Sequence, residues 1–184
     1  LPKIAEEILD FWKENEIFDK SISTRDSNKP FVFFEGPPSA NGLPGIHHVM
    51  ARSIKDIFCR YKTQKGFQVN RKAGWDTHGL PVEHEVEKEL GIFDKKEIED
   101  KIGVSEFTRR CRESVMRYIG EWEAMTERMG FWVDLGTAYY TLDNDYIESV
   151  WSLLKTIWDK GLIYQDFKVV PYSPRTSSVV SNFE

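Results

Sequence analysis

Apolar residues recur along the chain with two different periods, and together they predict alternating helices and strands. The first segment has helical spacing, with acids and lysines opposite its apolar residues Ile4, Ile8, Phe11 and Trp12. Residues 21–30 are rich in Ser, Asp and Asn and predict a polar turn. The continuous apolar run 31–34 follows, between a proline and a glycine, and predicts a buried strand.

The next segments repeat this order of strand, loop and helix. Apolar spacing after residue 46 predicts a helix closed by Gly66, and residues 67–71 predict a second strand. A loop begins at Gly74, and Pro81 is suited to the first turn of another helix. Strand, loop and helix repeated in this way predict an α/β fold with a parallel sheet, in which ligands bind at the carboxyl ends of the strands.

Most of the remaining chain has helical spacing. Ser105 predicts the cap of one long helix that ends at Gly130, and Asp143 predicts the cap of another that ends before Gly161. The segment 162–171 predicts a strand, and a Ser-rich tail follows it. Three tryptophans on the two long helices are expected to be core residues, namely Trp122, Trp151 and Trp158.

Composition narrows the class of protein. The 184 residues include 25 Lys and Arg against 30 Asp and Glu, so the net charge of −5 argues against a module that holds nucleic acid by a basic surface. Cys59 and Cys111 stand apart, which argues against a zinc knuckle and fits a reducing compartment. No run approaches the roughly 18 apolar residues of a membrane span, so we expect a cytoplasmic protein.

The loop after the first predicted strand has a composition suited to binding a phosphate. Residues 36–44 combine two adjacent prolines with glycines, which makes a stiff corner that a ligand can approach closely. His47 and His48 follow at the start of the predicted helix, where unpaired N–H groups attract anions. The alternative is an ordinary turn with two surface histidines, and the loop by itself leaves both open.

The second loop places a carboxylate at a strand end. Asp76 and His78 lie between Gly74 and Gly79. Such a carboxylate is able to hold an ammonium group, a ribose hydroxyl or a magnesium ion. An Asx turn or a helix cap is the alternative, and this loop alone does not decide between them.

Taken together, the two loops indicate a protein family far more specifically than either loop does alone. The run E-G-P-P-S-A-N-G-L-P from Glu35 to Pro44 resembles the signature of the isoleucyl-tRNA synthetases, and G-W-D-T-H-G-L-P-V-E from Gly74 to Glu83 resembles that family's second run. The resemblance extends from the first helix to Pro174. It implies the first half of a Rossmann-like class I catalytic domain with additional helices. Residues 1–30 would be an N-terminal helix and linker, and 31–184 would be the half domain, ending where an editing insertion would begin.

The resemblance also implies the reaction and its ligands. The family activates isoleucine with ATP and Mg²⁺ and transfers it to tRNA(Ile), and we expect a monomer. The expected isoleucine-binding residues are Gly36, Pro37 and Asp76. The expected ATP-binding residues are Asn41, Gly42, Pro44, Gly45, His47 and His48, of which the two histidines are the expected catalytic residues.

One departure from the family lies in the first signature. The family usually has H-x-G-H after the proline, and this chain has Gly45-Ile46-His47-His48. The last histidine is retained, while the first is replaced by glycine and the usual glycine by His47. Either His47 supplies the missing imidazole from a shifted position, or the phosphate site is impaired.

Parts of the family pattern are absent from these residues. The lysine-rich second ATP signature is missing, and the segment 173–178 has no cysteine, so no zinc is expected. We therefore expect a fragment that is weak or inactive alone. Two alternatives stay open: a valyl or leucyl relative, against which the run G-W-D-T-H-G-L-P argues, and a synthetase-like protein that binds amino acid or tRNA without catalysis.

A basic cluster in the third helical segment has two interpretations. Arg109, Arg110 and Arg112 lie beside Cys111 and could contact tRNA. A solvated helix face with partners such as Glu113 one turn away is the alternative that we favour.

Overall fold

The computed structural model describes residues 2–92, 94–175 and 178–180. The chain forms two compact units, Leu1–Tyr146 and Ile147–Glu184. Part of the Ser-rich tail and the expected end of the half domain at residue 184 lie outside the described residues. The two predicted domains, 1–30 and 31–184, remain a prediction.

The first unit combines a parallel sheet with helices. Its strands are β1 (Asp26–Phe34), β2 (Phe67–Trp75) and β3 (Asp134–Tyr140). Its helices are α1 (Pro2–Glu14), α2 (Ile17–Ser23), α3 (Ile46–Gln64), α4 (Leu80–Leu90), a π-helical turn (Ile98–Ile102), α5 (Val104–Met116) and α6 (Ile119–Arg128). A further helix, α7 (Asn144–Asp159), begins in this unit and continues into the second.

The sheet brings the two predicted loops to one edge. Its order is β1-β2-β3, and all pairs are parallel, with Phe31 opposite Val69 and Gly74 opposite Tyr139. Since parallel strands end at the same edge, the segments that follow β1, β2 and β3 emerge side by side. The parallel α/β fold predicted from the alternation of elements is therefore confirmed.

Helix α3 is attached to β2 by a buried cation. Arg71 is 3% exposed, and its guanidinium donates to Asp56 Oδ1 at 3.2 Å, Thr63 Oγ1 at 2.8 Å and the carbonyl of Trp132 at 3.1 Å. Burial lowers the pKa of Arg71, and the negative charge of Asp56 opposes that effect. A buried charge is tolerated only when it is paired in this way, so the network fixes α3 on the strand.

Apolar residues from distant parts of the chain form the core. One cluster lies at the carboxyl end of β2 and contains Ala40, Trp75, Ile119 and Trp122. A second joins α4 to the π-helical turn and α5 and contains Val86, Ile92, Ile98 and Phe107. Cys59 is fully buried and Cys111 packs against the second cluster, so both cysteines act as packing residues.

The strand boundaries differ from the prediction. β1 begins at Asp26 rather than at residue 31, although its regular pairing starts only at Pro30, after a register shift. β2 continues beyond residue 71 to Trp75, because its last three residues are buried between neighbouring elements. β3 was not predicted at all, since its sequence D-L-G-T-A-Y-Y lacks a strict alternation of apolar and polar residues.

The single helix predicted between Ser105 and Gly130 is wrong. Two helices form instead, with a break at Arg117 and Tyr118, and Ser105 lies inside the first turn of α5 rather than at its cap. The two helices pack on different clusters, α5 against α4 and α6 against the end of β2. A straight helix could not reach both, so tertiary packing overrides the local helical pattern.

The second unit departs further from the prediction. α7 begins after Asp143 and ends before Gly161, as predicted, but none of its residues is buried. Trp151 and Trp158 are 67% and 62% exposed, so the expectation that they are core residues is wrong, whereas Trp122 is 1% exposed.

The strand predicted at residues 162–171 is also wrong. That segment has no regular structure, because it makes no strand ladder with any described residue. A short antiparallel pair follows it, β4 (Tyr172–Ser173) with β5 (Ser178–Val179). Among the helices described, none is long and apolar enough to cross a membrane.

Candidate active site

The loops after β1 and β2 meet directly. The N–H of Asp76 donates to the carbonyl of Pro38 at 2.9 Å, and Ser39 and Asp76 form a parallel bridge beyond the ends of the two strands. The Ser39 hydroxyl donates to Asp76 Oδ2 at 3.1 Å. The structure thus joins the loop expected to bind ATP to the carboxylate expected to bind isoleucine, which the sequence predicted only as two separate runs.

The segment after β3 also reaches Asp76, which the sequence did not predict. Thr141 is 4% exposed, and its hydroxyl lies 3.4 Å from Asp76 Oδ1, 2.9 Å from the N–H of Thr77 and 2.7 Å from His78 Nδ1. No local sequence pattern marks Thr141 as part of the site. The only available signal was its place directly after a strand, and that strand itself was not predicted.

The start of the first loop rests on a buried carboxylate. Glu35 is 3% exposed, and its Oε1 accepts from Lys55 Nζ at 2.6 Å, while its carbonyl accepts the Tyr139 hydroxyl at 2.6 Å. Its Oε2 is buried without a hydrogen-bond partner. Gly36 is exposed and Pro37 half-buried, and a Cβ added to Gly36 would come only within 4.0 Å of Lys55 Nζ. These two residues therefore lie at an open part of the site.

A tryptophan from α6 holds the middle of the first loop. Trp122 Nε1 donates to the carbonyl of Gly42 at 2.7 Å across 80 residues of sequence. Its ring packs with Ala40 and stands edge-on to Trp75, with centroids 6.2 Å apart. Asn41 makes only a long contact, with Nδ2 3.5 Å from the carbonyl of Pro81. The loop is therefore fixed mainly through its backbone and leaves the Asn41 side chain weakly held.

The first turn of α3 selects one form of His48. Pro44 is half-buried before it, and the N–H of Gly45 donates to His48 Nδ1 at 2.9 Å. Since Nδ1 accepts, the proton of the neutral ring is on Nε2. Burial, and then the charges of His47 and Arg52, lower the pKa of His48, which favours this neutral form.

The environment of His48 is aromatic and cationic. Its ring centroid lies 4.5 Å from Trp122 and 3.8 Å from His47, which is exposed. One turn further, Arg52 is 4% exposed, with its guanidinium 5.0 Å from the Trp122 ring centroid and its Nε buried without a partner. Burial lowers the pKa of Arg52, and Glu35 opposes that shift. A positive charge therefore lies beneath the amino-terminal end of α3, where an anion would bind.

The arrangement has two chemically different ends. Asp76 offers a half-exposed carboxylate for a cation, and the start of α3 offers N–H groups and imidazoles for an anion. Trp75 and Trp122 lie between them and hold both. Within the described residues no three His, Cys, Asp or Glu side chains gather closely enough to hold a metal ion.

The basic cluster on α5 lies apart from these two ends. Arg109 pairs with Glu106 and Glu113, and Arg110 pairs with Glu106. Hydrogen bonds from both arginines lower the pKa of Glu106 to about 2. The interpretation as a solvated face with partners one turn away is confirmed.

Comparison with known proteins places these features in a family. The model of the class I tRNA synthetases (I, L, M and V) matches residues 7–184. The whole chain is 54% identical to the isoleucine–tRNA ligase of Cytophaga hutchinsonii and 56% identical to that of Bacteroides fragilis, covering 16% of each. Across 183 residues it is 55% identical to the isoleucine–tRNA ligase of Thermus thermophilus, covering 17% of it.

A solved structure supports the same assignment of fold. The agnB2 LeuRS of Agrobacterium radiobacter K84, crystallised in a ternary complex with tRNA and LeuAMS, superposes with a TM-score of 0.63 at 23% identity, over 97% of this chain and 20% of that one. The chain spans less than a fifth of the curated relatives that it matches. From the family match across residues 7–184, carried by a parallel sheet whose loops meet at Asp76, it follows that this chain belongs to the class I tRNA synthetases.

Proposed function

We propose that this chain is the part of an isoleucine–tRNA ligase that binds isoleucine and the phosphates of ATP. The observation that carries the proposal is the junction of the two loops, where the Ser39 hydroxyl and the Pro38 carbonyl hold Asp76 beside the phosphate-binding run. The 54–56% identity to isoleucine–tRNA ligases supports isoleucine over valine or leucine. The proposed ligands are isoleucine, ATP with Mg²⁺, and tRNA(Ile).

The proposed reaction is an in-line displacement. The carboxylate oxygen of isoleucine attacks the α-phosphorus of ATP, the bond to the β-phosphate oxygen breaks, and pyrophosphate leaves. Such a reaction needs positioning and stabilisation of charge rather than a protein nucleophile. Asp76 would hold the ammonium group of isoleucine with the help of the Pro37 carbonyl, and Gly36 with Pro37 would form a wall of the side-chain pocket.

The phosphate end is assigned to the loop and the first turn of α3. Since Nδ1 of His48 accepts from Gly45, its Nε2–H is the group able to donate to a phosphate oxygen. His47 is exposed beside it and is proposed to supply the second imidazole. The corner that receives ATP is assigned to Asn41, Gly42, Pro44 and Gly45. The two free cysteines fit the cytoplasm as the place of action.

The test is ATP–pyrophosphate exchange by the full-length protein that contains this chain, with isoleucine, valine or leucine supplied in turn. Isoleucine-dependent exchange is expected, and Asp76→Asn should reduce kcat/KM for isoleucine by about 100-fold, since it leaves the ammonium group without its charge partner. Asp94→Asn, on the exposed surface, is the matched control and should retain full exchange. A valine-dependent exchange greater than that with isoleucine would contradict the proposed substrate.

The altered signature favours one second candidate, a protein that binds isoleucine without activating it. Gly45 stands where the family usually has histidine, so the phosphate end has lost one imidazole at its usual place. Single substitutions His47→Ala and His48→Ala distinguish the two candidates. If His47 is the stand-in, both should lower exchange without changing the Kd for isoleucine. Binding of isoleucine with no exchange by the unaltered protein would favour the second candidate.

A further inference from the structure

Thr141 occupies an unusual place between two strands. It directly follows β3, and its N–H donates to the carbonyl of Trp75 at 3.1 Å, which extends the pairing of β3 with β2 by one residue. Its side chain is almost completely buried. The hydroxyl therefore faces the residues that follow Trp75, which begin with Asp76.

All the hydrogen-bond partners that the structure describes for this hydroxyl belong to the segment 76–78. Oγ1 accepts the N–H of Thr77 at 2.9 Å, lies 2.7 Å from His78 Nδ1, and lies 3.4 Å from both Asp76 Oδ1 and Thr77 Oγ1. A hydroxyl has one hydrogen and two lone pairs, and a carboxylate only accepts. When His78 Nδ1 carries its own hydrogen and donates to Thr141, His78 and the N–H of Thr77 take the two lone pairs of Oγ1. The hydrogen of Thr141 then points at Asp76 Oδ1 or at Thr77 Oγ1, of which the charged carboxylate is the stronger acceptor.

A second bond keeps the two segments in register. The N–H of Leu142 donates to Thr77 Oγ1 at 3.0 Å, so residues 141 and 142 hold the segment 76–78 from one side. On the other side the Ser39 hydroxyl donates to Asp76 Oδ2. The two oxygens of Asp76 are thus contacted by hydroxyls from two different loops, which restricts rotation of the carboxylate.

We propose that Thr141 is a positioning residue for isoleucine, acting through its hydroxyl on the carboxylate of Asp76. This inference rests on the proposed function of Asp76 as the ligand of the isoleucine ammonium group. An ammonium ion binds best when the carboxylate lone pairs already point at it, because no rotational freedom is then lost on binding. Thr141 needs no contact with isoleucine to have this effect.

The proposal separates the hydroxyl of Thr141 from its packing. Thr141→Val keeps the shape of the side chain and removes the hydroxyl, whereas Thr141→Ser keeps the hydroxyl and removes a methyl group. In the full-length protein, Thr141→Val should raise KM for isoleucine in ATP–pyrophosphate exchange by about tenfold, the effect of one hydrogen bond to a charged group. KM for ATP should change by less than about twofold, and Thr141→Ser should restore the KM for isoleucine.

Thr126→Val is the matched control. Thr126 is 1% exposed, and its hydroxyl donates to the carbonyl of Trp122 within α6. Thr126→Val removes a buried hydroxyl of the same kind, one that bonds to Trp122 rather than to Asp76, so KM for isoleucine should stay unchanged. If Thr141→Val does not fold, Thr141→Cys takes its place, since a thiol fits the same space and is a weak donor.

Each outcome of the experiment decides one point. A rise in KM for isoleucine with Thr141→Ser as large as with Thr141→Val would overturn the proposal, because the hydroxyl would not be the acting group. Equal rises for isoleucine and ATP, or an unchanged KM for isoleucine, would overturn it as well. Absence of isoleucine-dependent exchange in the unaltered full-length protein would instead refute the proposed function.

Discussion

Gly74 lies beneath the ring of Tyr139, and replacing it with alanine tests how closely β2 and β3 approach each other. A Cβ at Gly74 would collide with the ring carbons and lie 2.7 Å from the Tyr139 hydroxyl oxygen. That ring is held by a 2.6 Å hydrogen bond to the Glu35 carbonyl and is stacked on Tyr146, with centroids 5.7 Å apart. Gly74→Ala must therefore displace a side chain that is anchored at its far end.

The loss in the free energy of unfolding caused by Gly74→Ala follows from the interactions that the displaced Tyr139 ring loses. The hydrogen bond contributes about 1 kcal/mol and the aromatic pair about 1 kcal/mol, and residual overpacking adds up to about 1 kcal/mol. A loss of about 2–3 kcal/mol in the free energy of unfolding lowers the melting temperature of a chain of this size by about 6–9 °C. Thermal unfolding of the chain followed by circular dichroism measures the change.

A double substitution tests the cause. If the Tyr139 ring is the obstacle, Gly74→Ala should cost almost nothing in a chain that already carries Tyr139→Ala, because the ring is gone. The coupling energy between the two substitutions should then equal the cost of Gly74→Ala alone. If the costs of the two substitutions are additive, this reasoning is refuted. The need for glycine at position 74 would then come from the backbone.

Two further predictions concern titratable side chains. The pKa of His48 is held below its usual 6.5, so its contribution to stability is complete above about pH 6.5 and is lost as the pH falls below that value. Urea unfolding at pH 7.5 and pH 5.5 should show a smaller loss of stability for His48→Asn than for the unaltered chain, and an equal loss would contradict the lowered pKa of His48. Burial raises the pKa of the thiols of both Cys59 and Cys111, and Cys59 is fully buried. A thiol reagent at pH 8 should therefore modify Cys111 first and Cys59 only after unfolding, whereas equal rates would refute this order.

Local sequence was sufficient for the part of the fold that carries the two loops. The apolar runs of β1 and β2 and the helical spacing of α3 indicated a parallel sheet, and parallel strands necessarily end at one edge. The meeting of Ser39 with Asp76 follows from that topology. The proposed role of Asp76 as a ligand-binding residue could not be predicted from the topology, since a carboxylate at a strand end is equally compatible with an Asx turn.

The rest of the site depends on residues that are distant in sequence. Thr141 could not be identified because β3 has no regular alternation, so nothing predicted that its end would reach β2. Trp122 was correctly expected in the core, but its hydrogen bond to Gly42 requires α6 to turn away from α5 at Tyr118. The break between the two helices arises because they pack on different clusters. The helical spacing of the apolar residues does not reveal it.

The bond between Trp122 and Gly42 has a consequence for the order of folding. The two residues are separated by 80 positions, against 38 for Phe31 and Val69 in the β1–β2 pair, so closing that contact costs about 0.7 kcal/mol more chain entropy. During synthesis, β1, α3 and β2 leave the ribosome well before α6 does. β1 and β2 are then able to pair early, while the loop proposed to receive the nucleotide acquires its shape only when α6 docks, so the proposed ability to bind ATP should appear late in folding.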